Sequence, residues 1–206
     1  MAENRDFFYR RLHSLLGVIP IGIFLIQHLV VNHFAVYGRE SFERAAGFMH
    51  NLPFRLLLET FVIYLPILFH AILGVYIVFT VKYNNRRYGF FRNLMFTLQR
   101  VSGIITLIFI AWHVWETRIA LGLGLVELDY SLMENILESP FMFWFYIIGV
   151  ISTTFHFANG LWSFLVTWGF TITPRSQRIA TYVTLIVFLA ISYIGVRTLI
   201  QFAYGV

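Results

Sequence analysis

Five long stretches of this sequence carry no charged side chain, and they constrain its fold more than any other feature. About 20 predominantly apolar residues are enough for a helix to span a bilayer. The uncharged stretches cover residues 12–38, 60–81, 101–115, 139–174 and 179–196. The third is short, but it extends back to Phe96 with only Arg100 interrupting it, and a helix end tolerates an arginine at the interface. The pattern predicts an all-α membrane protein.

The composition agrees with a chain that lies largely within lipid. Hydrophobic residues make up 59% of the sequence and charged residues 12%, where a soluble domain has roughly 25% charged residues. We predict a single domain over residues 1–206, embedded in the cell membrane. Its five helices are expected at about residues 13–36, 56–81, 95–117, 141–168 and 178–202.

The formal charge of +5 is distributed by topology, so it does not indicate nucleic acid as a partner. If the N-terminus lies inside, the inner segments hold ten basic and two acidic residues, and the outer segments hold five basic and eight acidic ones. Lys and Arg concentrate in cytoplasmic loops. We therefore expect the N-terminus in the cytoplasm and the C-terminus outside. Since the chain has no cysteine, cysteine-ligated iron–sulfur clusters and covalent C-x-x-C-H haem attachment are excluded.

Four histidines lie in four separate apolar stretches, where an ionisable residue is costly and is by default a functional candidate. At 1.5 Å per residue, each lies roughly 20–25 Å from the side at which its helix enters the membrane. The first and third helices run outward and the second and fourth run inward. This predicts an outer pair and an inner pair, which are His28 with His113 and His70 with His156.

Two histidines that face each other across a helical bundle suit the iron of a haem group. Small residues surround His156 on its helix face, and Gly74 follows His70 by one turn; both would leave room for a flat ring. The small residues around His156 are Gly149, Ser152, Thr153, Gly160 and Ser163. With both axial positions filled, the chemistry would be electron transfer. A single histidine of this kind could instead hydrogen-bond a neighbouring helix, but four at two matched depths favour haem.

Four segments closely resemble the single-chain cytochrome b subunits of succinate:menaquinone oxidoreductases of Gram-positive bacteria. They are RRLHSLLGVIPIGIFLIQHLVVN, LQRVSGIITLIFIAWHVWETR, FHFANGLWSF and TPRSQRIATYVTLI. The resemblance covers essentially the whole chain, and the four histidines are its most specific part. It implies two haems b with the same ligand pairing, and a role as membrane anchor for flavoprotein and iron–sulfur subunits on the cytoplasmic face. Thr154 stands where related fumarate reductase anchors have a glutamate.

The resemblance and the spacing together suggest further site residues, although no residue of this chain is expected to oxidise succinate. Glu59 lies eleven residues before His70, so in an α-helix the two share a face to within about 20°. Candidates for a menaquinone site near the outer pair are Glu59, Glu116 and Asn32, and candidates for holding haem propionates are His13, Arg11, Arg100 and Arg178. Glu59 and Glu116 could instead simply end their apolar stretches at the interface.

The basic inner face is expected to contact the iron–sulfur subunit, although topology alone would also place basic residues there. The residues concerned are Arg86, Arg87, Arg92 and Arg175. Two other functions stay open. One is a dihaem cytochrome b that serves fumarate reductase, formate dehydrogenase or hydrogenase. The other is a small transporter that moves protons on histidines, but transporters usually have broken helices and midplane acids, and here only Glu59 approaches that pattern.

Overall fold

The computed structural model describes residues 2–80, 90–127 and 129–206, with side chains from residue 5 onward. Within these ranges the regular structure is helical and contains no strand. Five helices are long and apolar enough to cross a membrane, which confirms the predicted fold class. They are Arg5–Tyr37, Arg55–Thr80, Phe91–Gly122, Pro140–Thr167 and Pro174–Tyr204. Lys82, Arg86 and Arg87 lie outside the described residues.

The first membrane helix is interrupted just before Pro20. An α-helix covers Ala2–Val18, a second begins at Pro20 and ends at His33, and a 3₁₀ turn covers Phe34–Tyr37. Proline has no N–H to donate and its ring clashes with the preceding turn, so an α-helix breaks or bends just before it. The interruption at Ile19 therefore divides the first helix into an inner and an outer half.

The second and third helices each contain a π-helical turn. The second consists of Arg55–Leu58, a π segment Glu59–Tyr64, and Leu65–Thr80. The Leu65 N–H donates to the Thr60 carbonyl five residues back, and Pro66 then follows with no N–H to restore α-helical bonding. The α-helical spacing used to place Glu59 on the face of His70 is therefore wrong for this segment, because a π turn holds more residues.

In the third helix an α-helix over Phe91–Val114 continues into a π segment, Trp115–Ile119, and a last short turn, Ala120–Gly122. Both π segments lie at the predicted outer end, and Glu59 of the first contacts Arg118 of the second. Such segments are frequent at functional sites, so this end of the bundle is a candidate site in its own right.

The fourth helix, Pro140–Thr167, is the most enclosed of the five, and it packs along both the third and the fifth. The fifth helix, Pro174–Tyr204, begins with a capping box between Thr173 and Ser176. It contributes packing, as the sequence predicts. Thr154 is completely buried at the contact between these helices, where its hydroxyl lies 2.7 Å from that of Ser192.

Two surface helices close the outer end. The first, Arg39–His50, buries Phe42 against the rings of Tyr130 and Phe202. The second, Tyr130–Leu137, lies in the connection between the third and fourth membrane helices. Asp129 caps it, and hydrogen bonds from the Ser131 hydroxyl and the Leu132 amide lower the pKa of the Asp129 carboxyl.

Candidate functional site

The structure brings the four intramembrane histidines together in the two predicted pairs. The ring centres of the outer pair, His28 and His113, lie 5.9 Å apart with an angle of 72° between the planes. In the inner pair, His70 and His156, the distance is 6.2 Å and the angle 89°. Each pair takes one histidine from the first two helices and one from the third and fourth. The pairs therefore depend on the packing of two helical hairpins.

The two histidines of the inner pair are held by the same type of hydrogen bond. His70 donates from Nδ1 to the carbonyl of His13 at 3.0 Å, and His156 donates from Nδ1 to the carbonyl of Gln99 at 2.9 Å. Because a carbonyl can only accept, the ring proton lies on Nδ1 and the lone pair on Nε2. A hydrogen bond at one ring nitrogen decides which nitrogen is left to bind a metal. Both rings are thus prepared to ligate through Nε2.

Two glycines make this hydrogen bond possible. A Cβ on Gly17 would lie 2.5 Å from a ring carbon of His70, and a Cβ on Gly103 would lie 2.8 Å from the same atom of His156. Each glycine lies one helical turn after the residue whose carbonyl accepts the bond. Each imidazole therefore rests directly against the backbone at its glycine, and a side chain at that position would displace the ring.

These contacts follow an internal repeat with an offset of 86 residues. The matched positions are His13 and Gln99, Gly17 and Gly103, His70 and His156, and Gly74 and Gly160. His13 stacks on His70 with ring centres 3.8 Å apart. Gln99, at the corresponding position, donates to the His156 carbonyl at 3.0 Å and accepts from Asn159 at 2.7 Å. The sequence indicated the repeat through its histidines and glycines, and the same offset would have identified Gln99.

The outer pair has a different polar environment on each side. The Tyr146 hydroxyl donates to the Glu116 carboxylate at 3.1 Å, and its oxygen accepts from His113 Nδ1 at 3.2 Å. Tyr146 is only 2% exposed. The Asn32 side-chain nitrogen lies 3.5 Å from the His28 ring and donates to the backbone carbonyl of His28 at 2.8 Å. A tyrosine on the fourth helix thus links His113 to Glu116, which nothing in the sequence pattern indicated.

Gly149, which the sequence placed among the residues that leave room for a ring, has another role. A Cβ there would lie 2.2 Å from the ring of Phe109. Phe109 in turn stacks on His113 with centres 5.8 Å apart. Gly149 therefore admits Phe109, and Phe109 fixes one face of His113.

Glu59 belongs to an ion-paired cluster between the two π segments. Its carboxylate lies 2.7 Å from Arg118 and 3.5 Å from Arg55, and its side chain is 18% exposed. Arg118 also donates to the Tyr64 hydroxyl at 3.2 Å. Glu59 thus faces the third helix even though the α-helical argument for its direction fails. The cluster places a carboxylate and two guanidinium groups at the outer end.

Three of the four propionate candidates are enclosed near the inner end. Arg100 is 5% exposed with its guanidinium over the Phe96 ring, and Arg11 lies over the rings of Phe7 and Trp168. The buried polar atoms that have no hydrogen-bond partner among the described residues include Arg11 Nε, His13 Nε2 and Trp168 Nε1. Buried donors in this state are costly unless something accepts from them. Arg178 differs, because it is exposed and lines a cavity beside Arg92.

Comparison with known proteins places the chain in a family. Residues 84–196 match the model for the succinate dehydrogenase/fumarate reductase transmembrane subunit. The chain belongs to this family. A member from Bacillus subtilis (strain 168), the succinate dehydrogenase cytochrome b558 subunit, is 63% identical over 202 residues, which cover 98% of this chain and 100% of the relative. The five spans agree with a family of transmembrane subunits, and the chain is a multi-pass membrane protein.

Proposed function

We propose that this chain is the membrane anchor and cytochrome b subunit of a succinate dehydrogenase. In this proposal the outer and inner pairs each ligate one haem b, and electrons pass from an iron–sulfur subunit to menaquinone. The observation that carries the proposal is the presence of two histidine pairs, with ring centres 5.9 and 6.2 Å apart, inside the bundle of a member of this family. The haem groups would supply one-electron transfer.

The residues present fit a haem iron between each pair. A metal–imidazole nitrogen bond is about 2 Å long, so two imidazoles on opposite sides of one ion have ring centres roughly 6 Å apart. No three or more His, Cys, Asp or Glu side chains come together as a metal site in the described residues, so each pair would supply two histidines to an iron. The Nδ1 hydrogen bonds of His70, His156 and His113 leave Nε2 for that ion.

Propionates of an inner haem would be held by Arg11, His13 and Arg100. Arg11 Nε and His13 Nε2 are buried polar atoms that have no hydrogen-bond partner among the described residues, and the Arg100 guanidinium is enclosed at the same end. Carboxylate groups would accept from these donors and balance their charge. We leave Arg178 out of this set because its side chain is exposed on the fifth helix.

Menaquinone reduction would take place at the outer end, near Glu59, Glu116 and Asn32. Glu116 reaches His113 through Tyr146, Asn32 lies beside His28, and Glu59 lies in the ion-paired cluster with Arg118. Carboxylates at this depth could deliver protons taken from outside. Electrons that cross to the positive side gain about 2.3 kcal/mol per charge per 100 mV, so the membrane potential would help to reduce a low-potential quinone.

Succinate oxidation would take place on partner subunits at the cytoplasmic face. The chain has few charged residues and no flavin-binding motif, so it supplies the electron path and the anchor. Arg175 is exposed at the beginning of the fifth helix, where it can meet an iron–sulfur subunit. Arg92 is turned into a cavity between helices and is less suited to that contact.

The test is the visible spectrum and haem content of the purified complex. We expect a haem b spectrum, two haems per copy of this chain, and reduction of haem by added succinate. A stoichiometry of one haem, or two haems that formate or hydrogen reduces while succinate does not, would contradict the proposal. A protein with no haem would point to the transporter alternative.

A further inference from the structure

A basic cleft opens between the third, fourth and fifth helices at the end of the bundle that carries the inner pair. The cleft has a volume of about 540 Å³ and is lined by residues from the beginning of the third helix, the last turns of the fourth and the first turns of the fifth. Its position follows from the topology: two helices begin and one ends at this level. The cleft therefore lies at one end of the bundle.

Two guanidinium groups, those of Arg92 and Arg178, line the cleft. Arg92 stacks on the Trp162 ring, with its guanidinium carbon 3.6 Å from the ring centre, and also donates to the Thr181 hydroxyl. These two contacts fix the Arg92 side chain before any ligand binds. Arg178 lines the same cleft, is exposed, and has no ion pair with a described residue. No described residue that lines the cleft is acidic.

Beside the two arginines, an exposed apolar strip runs along the fifth helix. Tyr182 and Leu185 continue from Arg178 at one-turn intervals, and Phe91 faces them from the third helix. The cleft thus combines two guanidinium groups with an adjoining apolar strip on the outside of the bundle. A free phosphate would use only the two guanidinium groups, and a neutral quinone would make no use of them.

We propose that this cleft binds an anionic phospholipid. The phosphate would lie between Arg92 and Arg178, and an acyl chain would lie along Tyr182 and Leu185. Basic pockets between transmembrane helices on the cytoplasmic side are suited to anionic headgroups, and arginine matches phosphate geometry. The positive end of the fifth-helix dipole, at Pro174, adds to the attraction.

The test uses the whole complex, purified in detergent and incubated with equal amounts of phosphatidylglycerol and phosphatidylcholine. Retained lipid is counted by native mass spectrometry. The complex should retain phosphatidylglycerol in preference to phosphatidylcholine. R178Q should retain about fivefold less, since one arginine near an anionic surface contributes about 1 kcal/mol. R178K should restore most of the retention because it keeps the charge.

Arg178 is chosen because its exposed side chain makes its replacement safe for folding, whereas Arg92 also packs on Trp162. The matched control is R10Q, which removes one exposed charge at the same end and should retain lipid as the unaltered complex does. Equal loss in R178Q and R10Q would overturn the proposal. It would also be overturned if inorganic phosphate displaced the phosphatidylglycerol, or if R178Q lost quinone and kept its lipid.

Discussion

Tyr146 distinguishes the outer pair from the inner pair at the scale of single residues. The inner histidines both donate to neutral backbone carbonyls, whereas His113 donates to a tyrosine oxygen whose own proton goes to a carboxylate. A carboxylate behind the hydrogen bond makes an imidazole a stronger electron donor to a metal ion. We therefore expect the outer haem to be held in its oxidised form more strongly than it would be without Tyr146.

Replacing Tyr146 with phenylalanine should raise the midpoint potential of the outer haem. The loss of a hydrogen bond worth about 1 kcal/mol corresponds to roughly 40 mV for a one-electron couple. Redox titration of the assembled complex measures the shift, and the inner haem should keep its potential. Tyr193→Phe, at an exposed position on the fifth helix, serves as the control. Equal shifts in the two variants would remove Tyr146 from this role.

Substitution of individual histidines should separate the two haems. His70→Leu or His156→Leu should remove the proposed inner haem, and His28→Leu or His113→Leu the proposed outer one, because each would lose one of the two histidines that hold it. Optical spectra during a redox titration identify the component that is lost. If His28→Leu and His70→Leu lost the same component, the pairing would be wrong.

At the scale of helices, the sequence predicted the five spans because long uncharged stretches leave a chain few alternatives in lipid. It did not predict the π segments Glu59–Tyr64 and Trp115–Ile119, since a change of hydrogen-bond register leaves the apolar pattern intact. The pairing of His28 with His113 followed from depth alone. The link from His113 through Tyr146 to Glu116 depends on how the fourth helix is rotated about its axis. Because that helix is apolar on every face, its sequence pattern does not predict the rotation.

The glycines beneath the inner pair provide a test of helix packing. Gly103→Ala should displace His156, because the new methyl group would overlap its ring carbon, and Gly17→Ala should displace His70 in the same way. Both variants should lose most of the inner-haem absorbance and keep the outer haem. Gly122→Ala, with open space around the added methyl group, should bind both haems. Normal inner-haem content in Gly103→Ala would show that the contact is dispensable.

The ion pair between the two π segments gives a test of the quinone site. Glu59→Gln should lower succinate:quinone activity by about a hundredfold if the carboxylate passes protons to quinone. Succinate oxidation with a soluble dye as electron acceptor should be unchanged, and so should both haem spectra, because neither depends on the reaction at the quinone site. Glu40→Gln, on the exposed surface helix at the same end, is the control. Full quinone activity in Glu59→Gln would place the proton donor elsewhere.

At the scale of the whole molecule, the two ends differ in charge and in what they offer to partners. The predicted inner end holds most of the basic residues, and the outer end holds most of the acids and both surface helices. In the proposed function an iron–sulfur subunit delivers electrons to the inner pair, and it would then dock at the predicted inner end, because electron transfer needs short distances. The basic residues there are suited to steer that docking.

Reversing charge at Arg86 and Arg87 should weaken assembly with the iron–sulfur subunit and leave haem binding intact. Both residues lie outside the described part of the chain, in the predicted inner loop. The amount of partner subunit that co-purifies with the membrane fraction measures assembly, and the haem spectrum of the same fraction is the internal check. Arg44→Glu, exposed at the other end, should assemble normally. Undiminished assembly in the Arg86→Glu, Arg87→Glu variant would move the interface away from this loop.

The sharing of each histidine pair between two hairpins has a consequence for biosynthesis. A ribosome delivers His28 and His70 to the membrane first, but neither pair is complete at that stage. Insertion of the third helix completes the outer pair, and only insertion of the fourth completes the inner one. If each pair ligates one haem as proposed, the nascent protein would acquire them in a fixed order, the outer before the inner.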